Sequence, residues 1–137
     1  MNTMLPIGSV VELENDDKKY VIVGFLHQEL EGNTLNIYQY TACEYSLGID
    51  DKNEFIYFNE DKIDGLLFMG YTIQFDRIYL RILYDMYKEI ENGANIDKAM
   101  DNVLNKHFGN DEAKKSEIKN RVVNSYMNYN EGGNENG

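Results

Sequence analysis

Phe58-Asn59-Glu60-Asp61-Lys62-Ile63-Asp64-Gly65-Leu66-Leu67-Phe68-Met69-Gly70-Tyr71 reads as the end of one strand, a one-turn acidic corner, a second strand and a Gly-Tyr exit. The hydrophobic period changes just after it. Up to residue 73, short runs rich in Val, Ile, Tyr and Phe alternate with polar turn clusters, which is the pattern of strands. Beyond residue 73 the apolar residues recur at helical spacing. The stretch therefore closes a β half and opens a helical one. It predicts an α+β fold: a small curved antiparallel sheet or partial barrel of about five strands, followed by two to three helices.

Within the β half, Ile7 to Leu13 is a first strand, ended by Glu14-Asn15-Asp16-Asp17, and Lys19 to Leu26 is a second. Glu29 to Thr34, with Gly32-Asn33 inside it, reads as a loop. Leu35 to Tyr45 alternates apolar and polar side chains. Leu47 to Asn53 is a turn region, Glu54 to Phe58 a short aromatic strand and Leu66 to Met69 a last apolar one. The expected inward face carries Val10, Val21, Val23, Ile37, Phe55, Tyr57, Ile63 and Leu67. A one-residue slip would turn all of them outward.

In the helical half, Phe75, Ile78, Tyr79, Ile82, Leu83, Met86 and Ile90 form one amphipathic stripe, stopped by Asn92-Gly93. Asn95 is placed to cap a second helix bearing Ile96, Ala99, Met100, Val103 and Leu104, and Gly109 to stop it. Asn110 or Asp111 starts a third, with Ile118, Val122 and Tyr126. The implied division is a β-rich domain over 1–73, a helical region over 74–127 packed on it or on a partner, and a disordered tail over 128–137, rich in Asn, Glu and Gly. The stripe is too wide to stay exposed on a soluble protein. Two helices alone leave part of it open unless the sheet also takes some, which points to self-association through this half or to a helical partner.

The 137 residues carry a net charge of −11. Residues 1–73 hold 13 acidic and 4 basic side chains, against 11 and 9 in the remainder. An acidic half of this kind repels phosphate backbones and anionic lipid, so nucleic-acid binding is not expected. No apolar run approaches the roughly 18 residues of a membrane span, and residues 1–6 do not resemble an export signal. With a single cysteine, Cys43, these features predict a cytoplasmic protein.

Motifs for chemistry are missing. His27 and His107 lie in different halves, without carboxylate or thiolate neighbours at ligand spacing, so neither a metal site nor a cofactor is expected. No phosphate-binding glycine loop or nucleophile elbow is present. Asp50, Asp51, Asn53 and Glu54 resemble part of a calcium loop but lack its glycine and its twelfth-position glutamate. Glu60, Asp61 and Asp64 are expected to serve the turn, with Asn59 capping it. No catalytic residue is assigned, and the chain reads as a non-enzyme. The compositional oddity is 11 tyrosines without tryptophan. Tyrosine is large, rigid and amphipathic, which suits contact surfaces. Tyr38, Tyr40, Tyr45 and Tyr71, with Ile82 and Met86 of the stripe, are therefore the candidate partner-binding residues.

Residues 5–71 resemble the bacterial domain-of-unknown-function family 4176. The resemblance rests on Leu5-Pro6-Ile7-Gly8-Ser9-Val10-Val11, on Lys19-Tyr20-Val21-Ile22-Val23-Gly24, on Tyr40, Tyr45 and Gly48, and on Phe58 to Ile63 with Gly70-Tyr71. Departures stand at Gln39, Ala42 and Ser46, where the family carries Asp, Gly and Pro. The resemblance implies a small intracellular protein of Gram-positive bacteria, encoded beside type VII secretion components and their large toxins. It implies an accessory, adaptor or targeting factor whose partner is a helical secretion effector or accessory protein. The alternative is an immunity protein whose acidic surface neutralises a co-encoded toxin domain.

Overall fold

A computed structural model describes residues 2–48 and 54–135, with side chains described as far as residue 123. Five strands come first: β1 (Val10–Leu13), β2 (Lys19–Glu31), β3 (Thr34–Glu44), β4 (Ile56–Phe58) and β5 (Ile63–Phe68). A one-turn 3-10 helix at Glu60–Lys62 joins the last two. Three helices follow: α1 (Gln74–Glu91), α2 (Ile96–Phe108) and α3 (Glu112–Glu135). All strand pairs are antiparallel, in the spatial order β4-β3-β2-β1-β5. The fold is the expected α+β class, a curved sheet followed by helices. The sheet stays open, with β4 and β5 at opposite edges.

The loop expected over Glu29–Thr34 is instead the tip of a long hairpin. The β2–β3 ladder continues through Leu30↔Leu35 to Glu31↔Thr34, so Gly32-Asn33 is a two-residue turn. Gly32 has φ +62°, the left-handed backbone that such tight hairpin turns require. Polar residues had masked the strands here because this end projects beyond its neighbours and needs no apolar face.

The helices pack on one face of the sheet, α1 directly against β2 and β3, with α2 on α1 and α3 on both. Directly opposed residues share a face, so the pairings Leu66–Val11–Tyr20 and Ile22–Ala42–Ile56 define the inner side. Val11, Ile22, Ala42 and Tyr40 are fully buried there, in one cluster with Met4, Phe58, Ile82, Met86, Met100, Val103 and Ile118. The expected inward set is therefore one residue out of step on β1, β2 and β4. Val23, Phe55 and Leu67 are exposed, and Val21 and Tyr57 are half-buried. Val10 is buried, but in the row Phe68–Val10–Val21–Cys43 on the outer face. Ile37 and Ile63 do pack against the core. The slip went undetected because both faces of the sheet are apolar, so alternation carries no sign.

The stripe of α1 is covered within the chain. Ile82 and Met86 are fully buried against the sheet and α2, while Ile78 stays exposed. The surplus width that pointed to self-association is taken up by β2, β3, α2 and the third helix, whose Ile118 and Val122 join the same core. Asn95 caps α2 through Lys98 N at 2.8 Å, and Asp111 accepts from Lys114 N at 3.1 Å ahead of α3. The α3 backbone stays helical from 128 to 135, where a disordered tail was expected. Adding residues to an existing helix is far easier than starting one, which local composition does not report. The Tyr126 side chain, Ile49 to Asn53 and residues 136–137 lie outside what is described.

Two glycines separate close packing from open space. A Cβ on Gly70 would collide with the carbonyl oxygen of Ile7 and crowd Ser9 N, and Gly70 N donates to the buried Ser9 Oγ at 2.9 Å. A Cβ on Gly65 would meet only Glu12 Oε2, at an ordinary 3.6 Å. Gly70→Ala is expected to cost about 1–3 kcal/mol by overpacking, while Gly65→Ala stays within about 0.5 kcal/mol. Ile82→Ala should cost about 2–5 kcal/mol, as a fully buried aliphatic. Thermal unfolding of the three variants beside the parent measures these differences.

Candidate interaction surface

The acidic corner is a structural knot. Asn59 makes no capping bond to its own turn; its Oδ1 accepts from Gln39 N at 2.9 Å. Gln39 Oε1 accepts from Glu60 N at 2.8 Å, and Gln39 Nε2 lies 3.5 Å from Met4 Sδ. Glu60 turns inward, where its Oε1 accepts from Tyr84 Oη at 3.0 Å and pairs with Lys88 Nζ at 3.5 Å. Lys88 also lies 5.5 Å from the Tyr84 ring centroid. Burial, then the bond to Glu60, raises the Tyr84 pKa. Asp61 and Asp64 stay exposed.

Three of the six candidate partner-binding residues are core. Tyr40, Ile82 and Met86 are fully buried. The Tyr40 hydroxyl accepts from Leu5 N at 2.9 Å, its ring packs on Phe58 at 5.7 Å, and burial pushes its pKa up to about 12. Tyr38 is half-buried, 6.1 Å from Tyr57. Only Tyr45 and Tyr71, exposed by 59% and 85%, stand open to a partner. Counting tyrosines could not separate these cases, because a phenol serves equally as a bonded core residue.

The structure places exposed apolar surface elsewhere. The outer face of the sheet carries the row Phe68–Val10–Val21–Cys43, and Gly8, Lys19, Tyr45 and Leu67 complete the rim of a shallow depression over Val10. Leu66, Leu67, Phe68 and Met69 are four consecutive exposed apolar residues, and Phe68 is 61% exposed. An antiparallel sheet with one solvated face normally alternates polar residues outward. The sequence signal was the unbroken Leu-Leu-Phe-Met run, which reads as buried when its strand is taken to lie inside the sheet. A separate groove of about 460 Å³ is lined by Phe25, His27, Tyr57, Tyr79, Ile96 and Val122, among others. There the His27 ring stacks on Tyr57 at 3.7 Å, inclined by 7°.

His107 Nε2 lies 2.7 Å from Asp85 Oδ2 and ties α2 to α1. Among the described residues no group of three His, Cys, Asp or Glu side chains is placed to hold a metal ion, and no helix is long and apolar enough to cross a membrane.

An open five-stranded antiparallel sheet, packed with helices and tied at an acidic corner, defines a small α+β protein with apolar side chains exposed along its β5 edge. The chain belongs to the family described as Domain of unknown function (DUF4176), whose model matches residues 4–77, more than half of its length. No curated protein and no solved structure matches the chain.

His27 gives the fold a pH dependence with a definite sign. Burial lowers its pKa below the ordinary 6.5, against the opposing pull of Glu29. The unfolded chain therefore takes up this proton first, so the contribution is complete above pH 6.5 and is lost as pH falls through the folded-state value. His27→Gln should flatten the decline in stability between about pH 7 and 5. Chemical denaturation of both proteins across that range reads the difference in slope.

Proposed function

We propose that this chain is a non-enzymatic protein-interaction module, an accessory or adaptor factor that holds a protein partner on the outer face of its sheet. The observation that carries the reading is the exposed apolar surface of Tyr45, Leu67 and Phe68, which rims a depression over the buried Val10 on the outer face of the sheet. Such surface on a soluble protein marks an interaction site. The helical half serves as the support that holds the sheet rigid. The family resemblance supplies the setting: a cytoplasmic factor of Gram-positive bacteria acting with a type VII secretion locus, whose partner is an effector or another accessory protein. An immunity role is the alternative.

Affinity capture from the native host tests the proposal. The expected catch is a secretion component or the helical N-terminal region of an effector, and a C-terminal toxin domain would favour the immunity role. Leu67→Ser with Phe68→Ser should abolish capture and leave the helical content and melting temperature close to the parent's. Undiminished capture by a folded double variant would remove the proposed surface.

A further inference from the structure

We infer that the free edge of β5 accepts an extended, apolar and basic segment of a partner protein as an added antiparallel or parallel strand. The inference deepens the interaction reading above and rests on it. β5 is the last strand in the order β4-β3-β2-β1-β5, so among the described residues its backbone groups on the side away from β1 meet no further strand. Such an edge is a template for pairing.

Natural sheets guard their edges with charges, prolines or bulges. Here the guards are unevenly spread. Asp64 lies in the first half of β5, and the shift between Glu12 and Leu13 irregularises the ladder beside it. A second shift, between Val10 and Val11, opposes the later residues. Yet Leu66 to Met69 carry no charge and no proline, and all four are exposed. An added strand would continue the cross-strand row Cys43–Val21–Val10–Phe68 by one more apolar side chain.

Charge selects the occupant. Residues 1–73 hold 13 acidic against 4 basic side chains; at the start of β5 Asp61 and Asp64 stand exposed beside Lys62, and Lys19 lines the depression next to Phe68. A second copy would bring the same excess of negative charge to the same edge. A partner segment with Lys or Arg between its apolar residues meets complementary charge instead.

The test uses the full chain and three labelled nine-residue peptides. One alternates Val and Lys, one alternates Val and Glu, and one is the Val–Lys peptide N-methylated at every backbone amide so that neither edge can donate. Fluorescence anisotropy gives affinity and amide hydrogen exchange gives location. The Val–Lys peptide should bind and slow exchange at residues 66–69, and the Val–Glu peptide should bind at least about tenfold more weakly. The N-methylated peptide should not bind. The inference is overturned by no Val–Lys binding at millimolar peptide, by binding that survives N-methylation, or by protection confined to the helices. Protection of β5 that grows with protein concentration alone assigns the edge to a second copy and also overturns it. If the peptides fail while the Leu67→Ser, Phe68→Ser variant still loses its native partner, strand addition falls and the interaction module stands. If that variant captures normally as well, both fall.

Discussion

A buried amide must find partners for its oxygen and its nitrogen, and the rest of this fold is arranged around Gln39. The side chain is wholly buried. Desolvating an amide without replacing its hydrogen bonds costs several kcal/mol on apolar reference scales, roughly 2–7. Gln39 Oε1 takes Glu60 N, its backbone N–H goes to Asn59 Oδ1, and its Nε2 faces Met4 Sδ. These contacts connect the middle of β3 to the acidic corner and to the N-terminal segment. The corner then reaches α1 through Glu60, Tyr84 and Lys88, and Met4 N reaches the same helix through the Leu80 carbonyl. One buried polar residue thus joins sheet, corner, N-terminal segment and first helix, where purely apolar packing would leave their relative placement less defined.

The family's sequence pieces acquire physical reasons in this arrangement. Leu5 to Ser9 and Gly70-Tyr71 are distant in sequence but adjacent in space: Ser9 Oγ accepts from Gly70 N, and the backbone there leaves no room for a Cβ. Asn59 and Glu60 are held by Gln39, whose Nε2 faces Met4 Sδ.

The order of elements was legible because it rests on local signals. The change of period after residue 73, Asn95 as a cap and Gly109 as a stop all act within a few residues. The side of the sheet that faces the helices was not legible. Val10 and Val11, or Tyr20 and Val21, are alike in polarity, and the choice between them is made by helices some sixty residues further along. The candidate surface suffered from the same ambiguity. Tyr40 and Tyr45 belong to one tyrosine-rich stretch, yet one binds Leu5 N deep in the core and the other is exposed. Ile82 and Met86 stand among the expected partner-binding residues because the thin stripe of α3 does not reveal that Ile118 and Val122 join the same core.

The hairpin of β2 and β3 has a consequence for how such a protein can vary. Its base is flanked by β1 and β4, which pair no further along it than Val21 and Tyr40. From Gln28↔Ile37 to the Gly32-Asn33 turn it is a two-stranded ribbon with Leu30 and Leu35 exposed opposite each other. A ribbon of this kind adds little to stability and asks little of the core. Its length can change by matched pairs of residues, two on each strand, without turning a single inner side chain outward. The arm is thus a module of adjustable reach, free to lengthen or shorten while the sheet beneath it keeps its register.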